Sequence, residues 1–332
     1  MKTAVITGAN VGIGFATAKF LAATPGWHVV LACRNELKAT AAVRDIRQSH
    51  PEAHISFAPL DLFSLASVRR LPATLVAMQI PGIDALILNA GGINMAAKAL
   101  EFTEDGFERI FQLNFLGHFL LVNLLIEQMT TASRIIFVSS DLHDPAATKM
   151  GKIMAPKYGP VNDLARGIGT AVKLKPMARY ATAKMYAMMA AYELDRRLQK
   201  IGKAITVNSW SPGVVPTTQA GRNMSPIMKK VITSRWFVSF MGSHLSSVEE
   251  AAQALGSLVT DASYSGISGR YFDGFREIPS SLESRNEAKA RTVWEQSARL
   301  ADLATQNEEQ QSAEWRPPSP YLEDRGLPLG AG

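Results

Sequence analysis

Residues Lys2–Gly14 read KTAVITGANVGIG, a short apolar run that is followed by three glycines spaced Gly-x-x-x-Gly-x-Gly. The apolar run predicts a strand over Lys2–Thr7, and the pattern that follows predicts a helix over Gly12–Ala23. Glycines at such a junction let the backbone turn tightly and approach an anion, and the helix N-terminus points free N–H groups at it. The stretch therefore predicts a phosphate-binding turn that opens an α/β domain.

The alternation of strand and helix continues along the chain. Further strands are predicted over His28–Ala32, His54–Ala58, Ala85–Leu88, Arg134–Ser139, Ala204–Ser209 and Gly269–Phe272. Further helices are predicted over Glu36–Ser49, Ser64–Met78, Phe107–Met129, Arg179–Gln199, Val248–Thr260 and Ser281–Leu303. Because the strands are unbroken apolar runs in regular succession with helices, we predict an α/β fold with a single doubly wound parallel sheet of about seven strands, covered by helices on both faces.

Two long connections interrupt this rhythm, Asp141–Ala178 and Val214–Ser247. Both leave the carboxyl ends of strands, which is the edge where open α/β sheets bind ligands. We expect the second, about 214–247, to be a lid over a bulky apolar substrate, with a helical excursion packed on the body as the alternative. Residues 1–304 are expected to form one domain, and the Pro- and Gly-rich residues 305–332 a disordered tail.

Composition excludes several classes of protein. The 332 residues include 35 Lys and Arg against 29 Asp and Glu, and the basic residues are scattered, which argues against a nucleic-acid partner. No apolar run reaches the roughly 20 residues of a membrane span, so no transmembrane segment is predicted. The single Cys33 excludes an internal disulfide framework and, with no signal peptide apparent, favours a cytoplasmic location. No zinc-like spacing occurs, so we predict no metal, and His118 within its apolar helix is expected to be a hydrogen-bonded core residue.

The end of the second strand indicates which dinucleotide would bind. NAD-dependent enzymes usually place Asp or Glu there to bind the ribose 2′-hydroxyl, but this strand ends in Cys33, Arg34 and Asn35. An arginine pairs with a 2′-phosphate, which a carboxylate would repel. We therefore predict NADP(H), with Arg34 as a plain surface charge as the alternative.

Tyr180 and Lys184 lie four residues apart on a predicted helix, so their side chains share one face. A neighbouring ammonium, and the positive ring of an oxidised nicotinamide, would lower the pKa of the phenol. The tyrosine is then able to exchange a proton with a substrate oxygen, while Ser140 at a strand end hydrogen-bonds that oxygen. Alone, such a pair usually marks a solvated helix face; its combination with the glycine turn, Asn114 and Ser140 favours catalysis.

These motifs follow the order found in one enzyme family. TGANVGIG, Asp61-Leu62, Asn89-Ala90-Gly91, Asn114, Ser139-Ser140, Tyr180-x-x-x-Lys184 and Pro212-Gly213 with Thr217 resemble the motifs of the short-chain dehydrogenase/reductase family over residues 1 to about 273. The resemblance implies a Rossmann-type sheet and a nicotinamide-dependent oxidoreductase. Members of the family often pair through their long helices, so a homodimer or a monomer is expected.

The resemblance also assigns roles. It implies that Asp61 holds the adenine amine, that Lys184 holds the ribose hydroxyls, and that Asn114 supports a water relay to Lys184. It selects Ser140 over Ser139. The catalytic residues are accordingly predicted as Asn114, Ser140, Tyr180 and Lys184. The cofactor-binding residues are predicted as Gly8, Asn10, Gly12, Ile13, Gly14, Arg34, Asp61, Leu62, Asn89, Ala90, Gly91, Tyr180, Lys184, Pro212, Gly213, Val215 and Thr217.

The finer resemblance is to the branch that contains retinol-dehydrogenase-like enzymes and light-dependent protochlorophyllide reductases. It is carried by Trp27–Arg34, Leu116–Leu121 and Ala288–Leu300. The photoenzyme motif has a cysteine directly after Pro-Gly, whereas this chain has Val214. The expected activity is therefore NADP(H)-linked hydride transfer to or from a carbonyl or alcohol on a bulky hydrophobic substrate. The alternatives are C=C reduction of the protochlorophyllide type and a non-catalytic NADP-binding sensor.

Overall fold

The computed structural model describes residues 1–95, 97, 99–146, 154–215 and 246–303 of the chain. They contain one eight-stranded sheet with the order β3-β2-β1-β4-β5-β6-β7-β8. The strands are β1 Lys2–Thr7, β2 Trp27–Cys33, β3 His54–Pro59, β4 Ile83–Leu88, β5 Met129–Val138, β6 Thr206–Ser211, β7 Tyr271–Asp273 and β8 Arg276–Glu277. Strands β1 to β7 are parallel, so the predicted doubly wound α/β sheet is confirmed.

Eight helices accompany the sheet in these ranges. They are α1 Gly12–Ala22, α2 Glu36–Ser49, α3 Leu65–Ala77, α4 Arg109–Gln128, α5 Val161–Arg166, α6 Pro176–Lys200, α7 Val248–Thr260 and α8 Glu287–Leu300. One face of the sheet packs against α3, α4, α6 and α8, with Phe111, Phe115, Phe119 and Trp294 among the buried side chains. The other face packs against α1, α2 and α7. The expectation that both faces are covered is therefore confirmed.

The sheet is mixed rather than purely parallel, because β8 pairs antiparallel with β7. Gly274, with φ +59°, makes the turn between them. A strand of two exposed residues carries no apolar pattern, which is why the sequence predicted about seven strands and the structure has eight.

Helix α4 differs from the uninterrupted helix predicted over Phe107–Met129. It contains a π-helical turn, Gln112–Leu116, and ends in a 3-10 turn, Ile126–Gln128, while Met129 already belongs to β5. By length and composition α4 would suffice to cross a membrane, but 89% of its apolar window is buried inside the protein. A core helix of an α/β domain has this character.

The remaining differences lie in the connections. The segment Asp141–Ala178 contains α5 and a 3-10 turn, Gly169–Lys173. Helix α6 begins at Pro176 rather than at Arg179, because proline is favourable in the first helical turn. The C-terminal helix begins at Glu287, capped by Asn286, instead of at Ser281. Most of the predicted lid (216–245) and the predicted disordered tail (305–332) lie outside the described residues.

Candidate active site at the carboxyl edge of the sheet

The predicted site residues follow the ends of four parallel strands. Gly8 comes directly after β1, Asn89 after β4, Ser140 two residues after β5, and Pro212 directly after β6. Because these strands run in one direction, the segments meet at the carboxyl edge of the sheet. The topology reverses between β1 and β4, which places a crevice at the glycine turn.

The glycine turn has a geometry that larger residues would disturb. Gly8 and Gly12 adopt φ of +66° and +59°, the left-handed region that favours glycine. A Cβ on Gly14 would lie 2.4 Å from Asn89 Nδ2 and 2.7 Å from the Gly8 carbonyl oxygen. Only a residue without a side chain allows α1 to approach β4 this closely.

The N-terminus of α1 fits an anionic ligand. Its N-cap, Val11, makes no side-chain capping bond, and the first turn carries no acidic residue. By contrast, α2 and α7 begin with capping bonds from Asn35 and Ser247. A Cβ on Gly12 would meet no atom within 4 Å, so there is room in front of the turn. The backbone N–H groups around Ile13, with Asn10 half-buried beside them, are therefore available to a pyrophosphate.

A buried network joins the ends of β1 and β4. Asn89 Nδ2 donates to the Thr7 carbonyl oxygen over 2.9 Å, and the Ala90 N–H donates to Thr7 Oγ1 over 2.9 Å. The same hydroxyl is hydrogen-bonded to His118 Nε2, also at 2.9 Å. Burial, aided by the charge of Lys184, lowers the pKa of His118 to about 3. His118 is thus a neutral, hydrogen-bonded core residue, as predicted.

Arg34 lies beside Asp61, with 3.9 Å between Nη1 and the carboxylate Oδ1. Its guanidinium also stacks over the Phe63 ring, 5.1 Å from the centroid, while Arg109 lies 4.4 Å from the same centroid. The Arg34 side chain is 58% exposed and Leu62 beneath it is buried. The two residues predicted to hold the adenosine end are therefore neighbours, with one arginine head accessible to a phosphate.

Lys184 is buried, and its Nζ donates to the Val138 carbonyl oxygen over 2.7 Å. Burial lowers the pKa of its ammonium to about 8. A Cβ on Gly91 would lie 3.2 Å from Lys184 Nζ and 2.8 Å from Asn114 Oδ1. The glycine thus leaves the space in which the predicted lysine and asparagine approach each other.

Asn114 lies in the π turn of α4 and is almost fully buried. Its Nδ2 donates to the Ile110 and Gly92 carbonyl oxygens over 2.8 Å each, and its Oδ1 accepts from the Gly92 N–H over 3.0 Å. The side chain therefore ties α4 to the loop after β4. This contact fixes Gly91 and Gly92 beside the lysine.

Tyr180 shares its helix face with Lys184, whose Nζ lies 5.8 Å from the phenol ring centroid. The protein groups raise the pKa of Tyr180 to about 12: burial dominates, the Asp141 carboxylate adds to it, and a hydrogen bond with Ser140 opposes it. The prediction that the neighbouring lysine lowers the pKa of the phenol is therefore wrong for the protein groups alone. Ser139 is buried with no hydrogen-bond partner for its hydroxyl, so Ser140 is the serine that meets the phenol.

Three residues near the site were not among the predicted site residues. Phe63 supports two arginines, Asp141 accepts from Ser140 Oγ over 3.2 Å, and His143 contacts both the Ser140 carbonyl and a distant segment. Phe63 and Asp141 directly follow predicted motifs, which is the only available hint. Their contacts depend on tertiary folding rather than on spacing.

The segment after β6 is described in part. Gly213 adopts φ +68° and Val215 is buried, whereas Thr217 lies outside the described residues. Cys33 is buried beneath the glycine turn, and burial raises the pKa of its thiol to about 11. Within the described ranges, no three His, Cys, Asp or Glu residues gather as a metal site would require.

The chain resembles known proteins along most of its length. The family model described as "short chain dehydrogenase" matches residues 2–162. Retinol dehydrogenase 13 from Homo sapiens is 36% identical over 304 residues, covering 91% of this chain and 85% of that protein. The chloroplastic protochlorophyllide reductase of Chlamydomonas reinhardtii is 34% identical over 320 residues, covering 91% and 78%. A crystal structure of an uncharacterized protein from Mycobacterium paratuberculosis aligns with a TM-score of 0.65 at 27% identity, covering 91% and 94%.

Proposed function

The chain belongs to the short-chain dehydrogenase/reductase family of oxidoreductases, and from this premise we propose that it uses NADP(H) to reduce a carbonyl on a bulky apolar substrate. The observation that carries the proposal is the position of Tyr180 one helical turn from the buried Lys184, whose Nζ lies 5.8 Å from the phenol ring centroid, with Ser140 near the phenol. A proton donor (Tyr180), a hydrogen-bond donor (Ser140) and a cation (Lys184) are thus brought together at the carboxyl edge of the sheet.

The protein groups at the crevice fit NADP(H). The uncapped start of α1 offers N–H groups to the pyrophosphate, and the glycines keep side chains out of its way. No carboxylate stands at the end of β2, while the exposed Arg34 head is free to turn toward a 2′-phosphate. Asp61 competes for the Arg34 guanidinium. This ion pair is weak, because its atoms are 3.9 Å apart and both side chains are partly exposed to solvent.

The bound nicotinamide supplies the hydride for the carbonyl carbon, and the protein residues handle the proton. Tyr180 is protonated at neutral pH, because burial and Asp141 raise its pKa to about 12. The phenol therefore carries the proton that it would donate to the carbonyl oxygen as that oxygen gains negative charge.

Ser140 and Lys184 support the transfer. The Ser140 hydroxyl, which donates to Asp141 Oδ1 over 3.2 Å in this structure, would turn to donate to the same oxygen and stabilise its developing charge. Because the pKa of Lys184 is about 8, its ammonium is mostly charged at pH 7 and stabilises the phenolate that remains. The phenolate is then reprotonated from solvent. The proton would reach it through the space at Gly91 that Asn114 and Lys184 both face.

An apolar substrate is suggested by the loops that border the site. Phe102, on the loop after β4, and Ile168 and Val172, on the connection after β5, are exposed large apolar side chains. Gly167 lies against Leu100 and Phe102, so the two loops are in contact. The relatives named for retinol and protochlorophyllide act on large hydrophobic molecules, which agrees with this surface.

A second candidate is reduction of a C=C bond in a tetrapyrrole, favoured by the similarity to protochlorophyllide reductase. It ranks second because Val214 occupies the position directly after Pro212-Gly213 where the photoenzyme motif has cysteine. The same cofactor residues would serve both reactions.

The two candidates are separated by one set of assays on the full-length protein. We expect NADPH to be consumed with all-trans-retinal in the dark, and much more slowly with glyceraldehyde, a small polar control. Protochlorophyllide with NADPH under illumination should give no chlorophyllide absorption. Chlorophyllide formation without any dark carbonyl reduction would transfer the assignment to the second candidate.

A further inference from the structure

His143 is a buried histidine that lies outside the predicted site. It ends a 3-10 turn, Asp141–His143, that begins directly after Ser140. Its Nδ1 lies 2.7 Å from the Ser140 carbonyl oxygen, and its Nε2 lies 3.2 Å from the backbone nitrogen of Ser281. The imidazole therefore spans the distance between the turn that carries Ser140 and a segment 138 residues further along the chain.

These two partners define the protonation state of the ring. A carbonyl oxygen only accepts hydrogen bonds, so Nδ1 must carry the proton. A backbone N–H only donates, so Nε2 must be unprotonated. Burial lowers the pKa of His143 and thereby favours this neutral form. The Tyr271 ring, edge-on at 5.0 Å, holds the plane of the imidazole.

The segment that contacts His143 is itself anchored to the catalytic helix. Ser280, Ser281 and Ser284 form a buried hydroxyl cluster with oxygen–oxygen distances of 3.0 Å. Tyr192, on α6, donates to Ser280 Oγ over 2.7 Å. Tyr180 lies on the same helix, about three turns earlier.

The contacts close a ring. From Tyr180 they run along α6 to Tyr192, through Ser280 and Ser281 to His143, and from there to Ser140, which meets Tyr180. We propose that His143 is a positioning residue that holds Ser140 against the Tyr180 phenol, so that the C-terminal serine cluster sets the geometry of the proton donor. The catalytic meaning of this contact rests on the proposed function.

A double-mutant cycle tests the proposal through activity. Replacing His143 by Phe keeps a buried ring but removes both hydrogen bonds. We expect H143F to lower kcat for carbonyl reduction about tenfold, with the Kd for NADPH nearly unchanged. In an S140A background the same change should cost less than about twofold, because His143 acts through Ser140. Equal losses in both backgrounds would contradict the proposal.

The pH profile and a conservative variant separate positioning from general damage. The hydrogen bond with Ser140 lowers the pKa of Tyr180 against burial and Asp141. The pH limb of kcat for alcohol oxidation should therefore move upward in H143F, while Asp141 and Lys184 are untouched. H143N, which keeps a donor near the Nδ1 position, should restore most of kcat and the original limb. An unshifted limb in H143F would count against the proposal.

Tyr192 and Tyr186 supply a matched pair on α6. Y192F removes the hydroxyl that anchors Ser280, and we expect a several-fold loss of kcat. Y186F removes a buried hydroxyl that, among the described residues, bonds to the Gly159 backbone alone, and should cost stability without lowering kcat. The opposite ranking of the two variants would contradict the ring of contacts.

The hydrogen bonds themselves are open to a measurement that needs no turnover. In protein labelled with ¹⁵N-histidine, the signals that disappear in H143F belong to His143. They should report the neutral Nδ1–H tautomer, and the ring should stay neutral from about pH 6 to about pH 8, a range that brackets the ordinary histidine pKa of about 6.5. An Nε2–H tautomer, or titration near that value, would overturn the proposal. If the wild-type protein reduced no carbonyl, the proposed function would fail, whereas this spectrum would still decide whether the contact exists.

Discussion

Tyr180 and Lys184 lie one helical turn apart, and burial moves their pKa values in opposite directions. The phenol is raised to about 12 and the ammonium is lowered to about 8. In both cases the cause is the same, since a charged form loses hydration inside the protein. Without cofactor the pair is therefore a neutral phenol next to an ammonium that loses its proton more readily than an ordinary lysine. Lowering the pKa of the phenol requires the positive ring of an oxidised nicotinamide in addition to the lysine.

The lowered pKa of Lys184 predicts a pH-dependent stability. Below pH 8 the lysine is protonated in both the folded and the unfolded chain. Between about 8 and the ordinary value of 10.5 the unfolded chain holds more protons, so the free energy of unfolding rises with pH. Relative to K184M, the wild-type protein should gain stability as the pH rises through this window. Urea denaturation at about pH 7, below this window, and at about pH 10, near its upper end, measures the gain.

A suitable control is Lys200, which is exposed in the last turn of the same helix. The K200M variant should keep the wild-type pH dependence. A constant difference between wild type and K184M at both pH values would show that the lysine is not destabilised by burial.

Arg34 predicts the choice of cofactor. Its side chain is 58% exposed and pairs with Asp61 only at 3.9 Å, so R34A should fold normally. Loss of a charge-assisted bond to a 2′-phosphate should lower kcat/KM for NADPH about 10- to 100-fold and leave that for NADH within about threefold. The exposed Arg44 on α2 provides the control variant, R44A, which should change neither value. An equal loss for NADPH and NADH in R34A would refute the assignment.

At the scale of the element, the π turn in α4 and the glycine turn before α1 differ in how visible they are in the sequence. The glycine turn is a local feature, since strand, glycines and helix follow one another within Lys2–Ala22. The π turn was not predicted, because the Asn114 side chain bonds to Ile110 in its own helix and to Gly92 in a different loop. The bond to Gly92 explains what the π turn does, because it ties α4 to the loop that follows β4.

Asn114 therefore predicts an unusually costly substitution. N114A removes three hydrogen bonds and leaves groups of the buried Ile110 and the half-buried Gly92 without them, so it should destabilise the protein by roughly 2–4 kcal/mol. It should also reduce turnover, because Gly92 holds the neighbouring Gly91 in place and Gly91 borders Lys184.

Helix α4 offers its own control in Asn123, which is equally buried but whose Nδ2, within the described ranges, bonds to Phe119 alone. N123A should cost less stability and leave kcat nearly unchanged. Chemical denaturation and steady-state kinetics of both variants check this, and similar effects of the two would contradict a special role for Asn114.

At the scale of the whole molecule, the C-terminal helix completes the core. Trp294 of α8 packs against Phe119 of α4, with 4.8 Å between ring centroids, and under Arg197 of α6 at 4.9 Å. Helix α8 therefore packs on α6 as well as on α4.

Trp294 is accordingly predicted to be essential for stability rather than for chemistry. W294A should destabilise the protein by about 3–5 kcal/mol while the surviving folded fraction keeps its KM for NADPH. Leu282 is 82% exposed in the preceding segment, and L282A should be neutral. Thermal unfolding of both variants measures the difference; a neutral W294A would mean that α8 is dispensable.

The sequence was sufficient for the doubly wound sheet and the motifs at its edge, because hydrophobic runs and glycine turns are local signals. It did not reveal β8, whose two residues are exposed, or the bonds of His143 to Ser281. It also assigned the wrong dominant influence on Tyr180, since burial is a property of the folded molecule. Contacts between distant segments and the loss of hydration are what spacing does not encode.

The central claim is that Tyr180 transfers the proton while the glycine turn and Arg34 hold NADPH. Replacing Tyr180 by Phe removes only the hydroxyl, so the most direct measurement compares NADPH binding and carbonyl reduction in wild type and Y180F. We predict an unchanged Kd for NADPH and a loss of kcat of about 100-fold or more. Retained turnover in Y180F, or no affinity of the wild-type protein for NADPH, would contradict the account.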